Sequence, residues 1–118
     1  MKNFNKINAT NGARTELHDT LQLTGAEISV NNLPAGASVP FVHYHKKNEE
    51  IYFITGGKGK AIVDGDTIEL SSGDWLRISP AARRQFFAAP NEGISYVCIQ
   101  VRENSLEEYT ADDATIEK

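Results

Sequence analysis

From residue 26 onward the chain alternates short runs rich in Val, Ile, Phe and Tyr with clusters of Gly, Pro, Asn and Asp. The runs at 26–33, 39–45, 50–55, 58–63, 66–70, 75–79, 84–89 and 94–101 are each long enough for a strand and too short for a typical helix. Breakers such as "PAGA", "TGG", "SSG" and "APNEG" separate them. In "IVDGDTI" an Asp-Gly pair stands between alternating residues, the composition of a tight hairpin whose turn needs positive φ. Many short strands with turns every 8–12 residues predict an all-β sandwich or barrel. Helix is expected only in the tail, where "SLEE" (105–108) has the form of a capping box starting at Ser105. The polar ends, roughly 1–15 and 110–118, are expected to be loosely held.

The 118 residues suit one domain, read here as 1–118 with a barrel core at about 25–101. A net charge of −4, from 12 basic and 16 acidic residues, argues against a nucleic-acid surface. Arg83 and Arg84 are too few to form a basic face. No apolar run approaches the ~20 residues of a membrane helix, and no apolar segment follows Lys2 as in a secretory signal. The single cysteine, Cys98, allows no intrachain disulfide, so a cytoplasmic location is expected.

The chemistry concentrates in "HYHKKNEE", residues 43–50, which lies between two apolar runs. Strand alternation turns His43 and His45 to one face, about 6.6 Å apart, with Phe41 beside them and Tyr44 opposite. Glu50 opens the next run after a four-residue turn and can be brought next to the imidazoles. Two imidazoles and one carboxylate make a three-ligand set with positions left open for water or substrate. An ion there would also offset the burial of a carboxylate without a partner. The same residues could instead lie on an exposed face, with Glu49 and Glu50 as ordinary turn charges.

The wider context resembles the cupin family. Its first motif, G-x5-H-x-H-x3,4-E-x6-G, is matched by Gly36, His43, His45, Glu50 and Gly57 in "GASVPFVHYHKKNEEIYFITGG", with Gly36 one residue further from His43 than the strict form. Glu49 would pair with Gly56 instead, but "E-IYFI-TGGKG" reads like the family's strand entry. "VDGDTIELSSGDWLRISP" is similar to the hairpin and turn that follow in the family. The resemblance implies a double-stranded β-helix, a jelly-roll barrel holding a divalent metal (iron, manganese, nickel or zinc) on His43, His45 and Glu50. It also implies a small organic substrate in a dioxygenase, isomerase or decarboxylase type of reaction. The other reading is a non-catalytic cupin that binds a sugar or carboxylate, its metal site weakened or absent.

The second family motif normally supplies a fourth ligand histidine, and "GDWLRISPAARRQFF" has none. Counting from Gly73 puts Arg84 in that place, whereas counting from Pro80 puts Gln85 there. Only one can face inward. Gln85, whose amide oxygen can ligate a metal, is the expected inward residue and fourth ligand, with Arg84 outside or at the rim. An inward Arg84 would either grip a substrate anion or pair with Glu50 in a metal-free site. Arg84, Phe41, Tyr52 and Phe87 are the candidate substrate contacts, one of Phe86 and Phe87 being expected on the cavity wall.

The remaining residues read as structural. "GGKG" (56–59) lacks the helix and Ser/Thr of a phosphate loop. Cys98 reads as a small buried core residue and His18 as surface. Trp75 and Tyr52 suit packing or an interface more than a substrate platform. Val42 and Tyr44, turned away from the histidines, would need cover, and a homodimer would supply it.

Overall fold

Asp64 and Gly65 both have positive φ (49° and 86°), and the strands on either side pair from Val63↔Asp66 outward. The Asp-Gly hairpin therefore forms where the sequence places it. The computed structural model describes residues 3–108 and 110–117. In chain order the elements are β1 (Arg14–Glu16), α1 (His18–Leu21), β2 (Glu27–Leu33), β3 (Asn48–Val63), β4 (Asp66–Ser71), β5 (Trp75–Ile78), β6 (Arg84–Ala88), β7 (Ile94–Arg102) and α2 (Thr110–Asp113). All pairings are antiparallel, in the order β1-β2-β7-β3-β4, with β5 and β6 also pairing β3. The architecture is the expected jelly-roll barrel with a short C-terminal helix.

The runs at 50–55 and 58–63 are one strand rather than two. β3 bends at a register shift between Ile54 and Gly56. Its first half pairs with β7 and β5, and its second half with β4 and β6. Gly57 makes the bend possible: its φ is +78°, and a Cβ there would lie 1.9 Å from the Gly93 carbonyl oxygen. Alternation along β3 then turns Glu50, Tyr52, Ile54 and Ala61 inward. The core they join contains Leu70, Ile78, Phe86, Ala88, Ile94, Tyr96 and Cys98.

The run at 39–45 is not a regular strand. It meets β6 through isolated bridges, Ser38↔Phe87 and His43↔Arg84. Five steps of chain separate the bridged residues on one side and three on the other, so two extra residues loop out between them. Pro40, which has no N–H to give a ladder, sits in that excursion. The tail differs as well. Residues 105–107 have no regular structure and the helix begins at Thr110, because Leu106 and Ile116 find no surface to pack on and stay exposed. The N-terminal region, expected to be loose, contributes β1 to the sheet edge. His18 begins the one-turn α1 and is paired with Asp19 at the surface, as expected.

Candidate metal centre

Glu50 enters the barrel near the start of β3 and is 2% exposed. His43 and His45 come from the irregular segment facing it, each fixed through its backbone. His43 exchanges hydrogen bonds with Arg84, and the His45 N–H donates to the Pro80 carbonyl at 2.8 Å. Both imidazoles turn Nε2 toward the Glu50 carboxylate, His45 at 3.1 Å from Oε2 and His43 at 3.7 Å from Oε1. One donor atom from each of the three lies within 4.8 Å of the others. The alternation that put the histidines on one face holds, although the segment is not a regular strand.

The three residues line a cavity of about 440 Å³. Its wall includes Tyr52, Phe86, Tyr96 and Cys98, and polar groups of Asn31, Gln100 and Arg14 also reach it. Phe41 is 57% exposed, lines the cavity and sets its ring edge-on to His43 at 5.9 Å. Tyr52 stacks on Phe86 at 4.3 Å and donates its hydroxyl to Glu50 Oε1 at 2.5 Å. That hydroxyl is committed inward, which makes Tyr52 a support for the carboxylate.

Arg84, Phe86 and Ala88 are the buried positions of β6, whereas Gln85 and Phe87 are half-buried on its other face. The inward position thus belongs to Arg84, which reverses the expected order. The reason lies in pairing: His43 and Arg84 stand directly opposite in an antiparallel bridge, and such residues point to the same side. Gln85 reaches the cavity edge but gives its amide nitrogen to the Val39 carbonyl at 2.7 Å. Phe87 lines a separate surface groove with Lys58 and Lys60, the Lys60 ammonium 5.4 Å from its ring centre. It does not line the histidine cavity. Arg84 itself is 0% exposed, and Nη1 lies 2.7 Å from Glu50 Oε1.

Glu50 is therefore a buried carboxylate with a cationic side chain already beside it. Burial by itself would raise its pKa, but contacts from His43, Tyr52 and Arg84 outweigh burial and hold it well below the usual carboxylate range. Cys98 was legible as buried but not as part of the site. Its Sγ lies 3.3 Å from Glu50 Oε2. Burial, then the neighbouring carboxylate, push the thiol pKa up, so it serves as a protonated donor. Tyr96, Cys98 and Gln100 alternate along β7 in "YVCIQ", and that period was the signal that could have found them.

The donor set fits a divalent ion: two imidazoles and a Glu50 carboxylate oxygen converge, while Arg84 and Tyr52 hold the carboxylate through Oε1. His43 Nδ1 is buried with no hydrogen-bond partner among the described residues, so that imidazole lacks the outer support usual for a metal-bound histidine.

The Cupin domain family matches residues 29–100. A cupin protein from Bacteroides fragilis is 56% identical, with a TM-score of 0.96 and coverage of 100% of both chains. A predicted oxalate decarboxylase from Thermotoga maritima shares 20% identity at a TM-score of 0.66, over 75% of this chain and 78% of that one. A sugar phosphate isomerase from Silicibacter pomeroyi gives 20% and 0.66, over 76% of this chain and 60% of that one. At such identity these two share the fold alone. No curated protein matches the chain. With the motif residues gathered in one barrel and the family matching most of the sequence, the chain belongs to the cupin family.

Proposed function

We propose that this cupin binds a small organic ligand, a sugar or a carboxylate, beside a divalent metal held by His43, His45 and Glu50. The observation that carries the reading is the convergence of the three donor atoms within 4.8 Å on a cavity wide enough for such a ligand. A bound ion with open positions would orient and polarise the ligand, the chemistry of a metal-dependent enzyme. The reaction class does not follow from the fold, since this architecture serves decarboxylase and isomerase relatives alike. Phe41 at the mouth and the Arg14 guanidinium at the edge are the proposed ligand contacts. Arg84, fully buried, is not one.

The Arg84–Glu50 pair favours a second reading, a metal-free binding pocket, because the carboxylate already has a cation. Elemental analysis separates the two. Protein purified without added metal, then exposed to iron, manganese, nickel or zinc and desalted, is expected to retain up to one ion per chain. The double variant His43→Ala/His45→Ala is expected to retain none. Equal content in both would remove the metal and leave the second reading.

A second copy of this chain is the proposed macromolecular partner, docking on the outer face of the first sheet rather than on Val42 and Tyr44. Tyr44 is already covered in part by the Arg83 guanidinium, 4.6 Å from its ring centre.

A further inference from the structure

Arg84 bonds to two members of the triad directly and reaches the third through Pro80. Its backbone N–H donates to the His43 carbonyl at 3.0 Å, and its carbonyl accepts from the His43 N–H at 3.1 Å. Nη2 donates to the Ser79 and Pro80 carbonyls and Nε to that of Ala82. The Pro80 carbonyl also receives the N–H of His45, so one guanidinium holds the loop that positions the second histidine. Nη1 takes Glu50 Oε1. Oε2 then faces His45 and also takes the Cys98 thiol. Glu50 and Arg84 are paired at 2.7 Å before any ion arrives. Most of the guanidinium's donors go to protein carbonyls and the carboxylate, and none of its surface reaches solvent.

We infer that Arg84 is the built-in counter-ion and positioning residue of this centre, pairing with Glu50 and holding it aimed at the histidines whether or not a metal is bound. The barrel then folds without metal, and an entering ion meets a site already assembled but one charge less attractive than the same triad without the arginine. The folding half of this inference stands on the ion pair alone. The metal half rests on the triad reading above.

The test compares wild type, Arg84→Met and Arg84→Met/Glu50→Gln after chelator treatment, by thermal unfolding with and without manganese(II). Metal-free wild type is expected to unfold cooperatively. Arg84→Met, which leaves a buried carboxylate unpaired, is expected to lose roughly 10–20 °C in Tm. Adding Glu50→Gln is expected to restore most of that loss, which also covers the case in which the single variant does not fold. Manganese is expected to raise the Tm of Arg84→Met more than that of wild type, because the ion then supplies the missing cation, and to leave the double variant unmoved. The inference is overturned if the double variant is no more stable than the single one, or if manganese does stabilise wild type and by at least as much as Arg84→Met. If manganese moves neither protein, the triad reading fails, and the rescue by Glu50→Gln alone decides the counter-ion role.

Discussion

Tyr52 shows how much of this centre is built to hold one carboxylate. Its ring is packed against those of Phe86 and Tyr96, at 4.3 and 5.8 Å, and its hydroxyl ends on Glu50. Tyr52→Phe keeps the rings and deletes the bond. A hydrogen bond to a charged acceptor contributes about 1.5–3 kcal/mol, so urea unfolding of this variant should show a loss of about 2 kcal/mol with an unchanged m-value. An unshifted midpoint would mean the hydroxyl does not support Glu50. The three residues that converge were legible because their signals are local: a two-residue period for His43 and His45, and a short turn before Glu50. Which of Arg84 and Gln85 faces inward was not. That choice is made by the pairing of Arg84 with His43, residues far apart in sequence, and counting from Gly73 or from Pro80 gave opposite answers. The cost of burying Glu50 was legible, and of the two partners the sequence allows for it, an ion and an inward Arg84, the arginine is in place.

At the scale of elements, the barrel depends on one strand serving two sheets, and the bend in β3 is where a small change should matter most. Gly57 and Gly65 both have positive φ, at +78° and +86°, but only Gly57 is crowded. A Cβ at Gly65 meets nothing within 4 Å. Gly65→Ala should therefore cost about 1 kcal/mol, the strain of the left-handed backbone alone. Gly57→Ala adds an overlap with the Gly93 backbone that neither strand can relieve without breaking the Gly57↔Ile94 pairing, and it should cost more than about 3 kcal/mol. Equal losses in denaturant titrations would refute the claim that the bend, and not φ by itself, makes Gly57 necessary. Strand positions were readable because each run is bounded by its own turn residues. The excursion at Pro40 and the missing turn of helix after Ser105 were not, since one depends on a partner strand and the other on a docking surface that is absent among the described residues.

At the scale of the molecule, the first sheet has an inner face that makes the cavity and an outer face that is also apolar. Across it run two rungs, Ile28–Ile99–Ile51 and Val30–Val97–Phe53–Trp75, set side by side by the strand register. The aliphatic members are half-buried, as in an open sheet face, while Trp75 is 66% exposed and stacked on Phe53 at 4.3 Å. Four strands spaced about 4.8 Å and roughly 20 Å long give a footprint on the order of 400 Å², and a large aromatic at its edge adds about 150–250 Å². The total approaches the ~800 Å² per partner of a standard interface. Such a face is self-complementary: a two-fold axis can lay it against its own copy at sheet-packing distance. The predicted result is a dimer in sedimentation equilibrium that dissociates on dilution, twice the 13.0 kDa chain at high concentration. Trp75→Arg with Phe53→Glu should give monomer at every concentration. Neither residue lines the histidine cavity, so its metal content should stay as in wild type. A wild type that sediments as monomer throughout, or a double variant that still pairs, would show that this apolar face has some other purpose than joining two barrels.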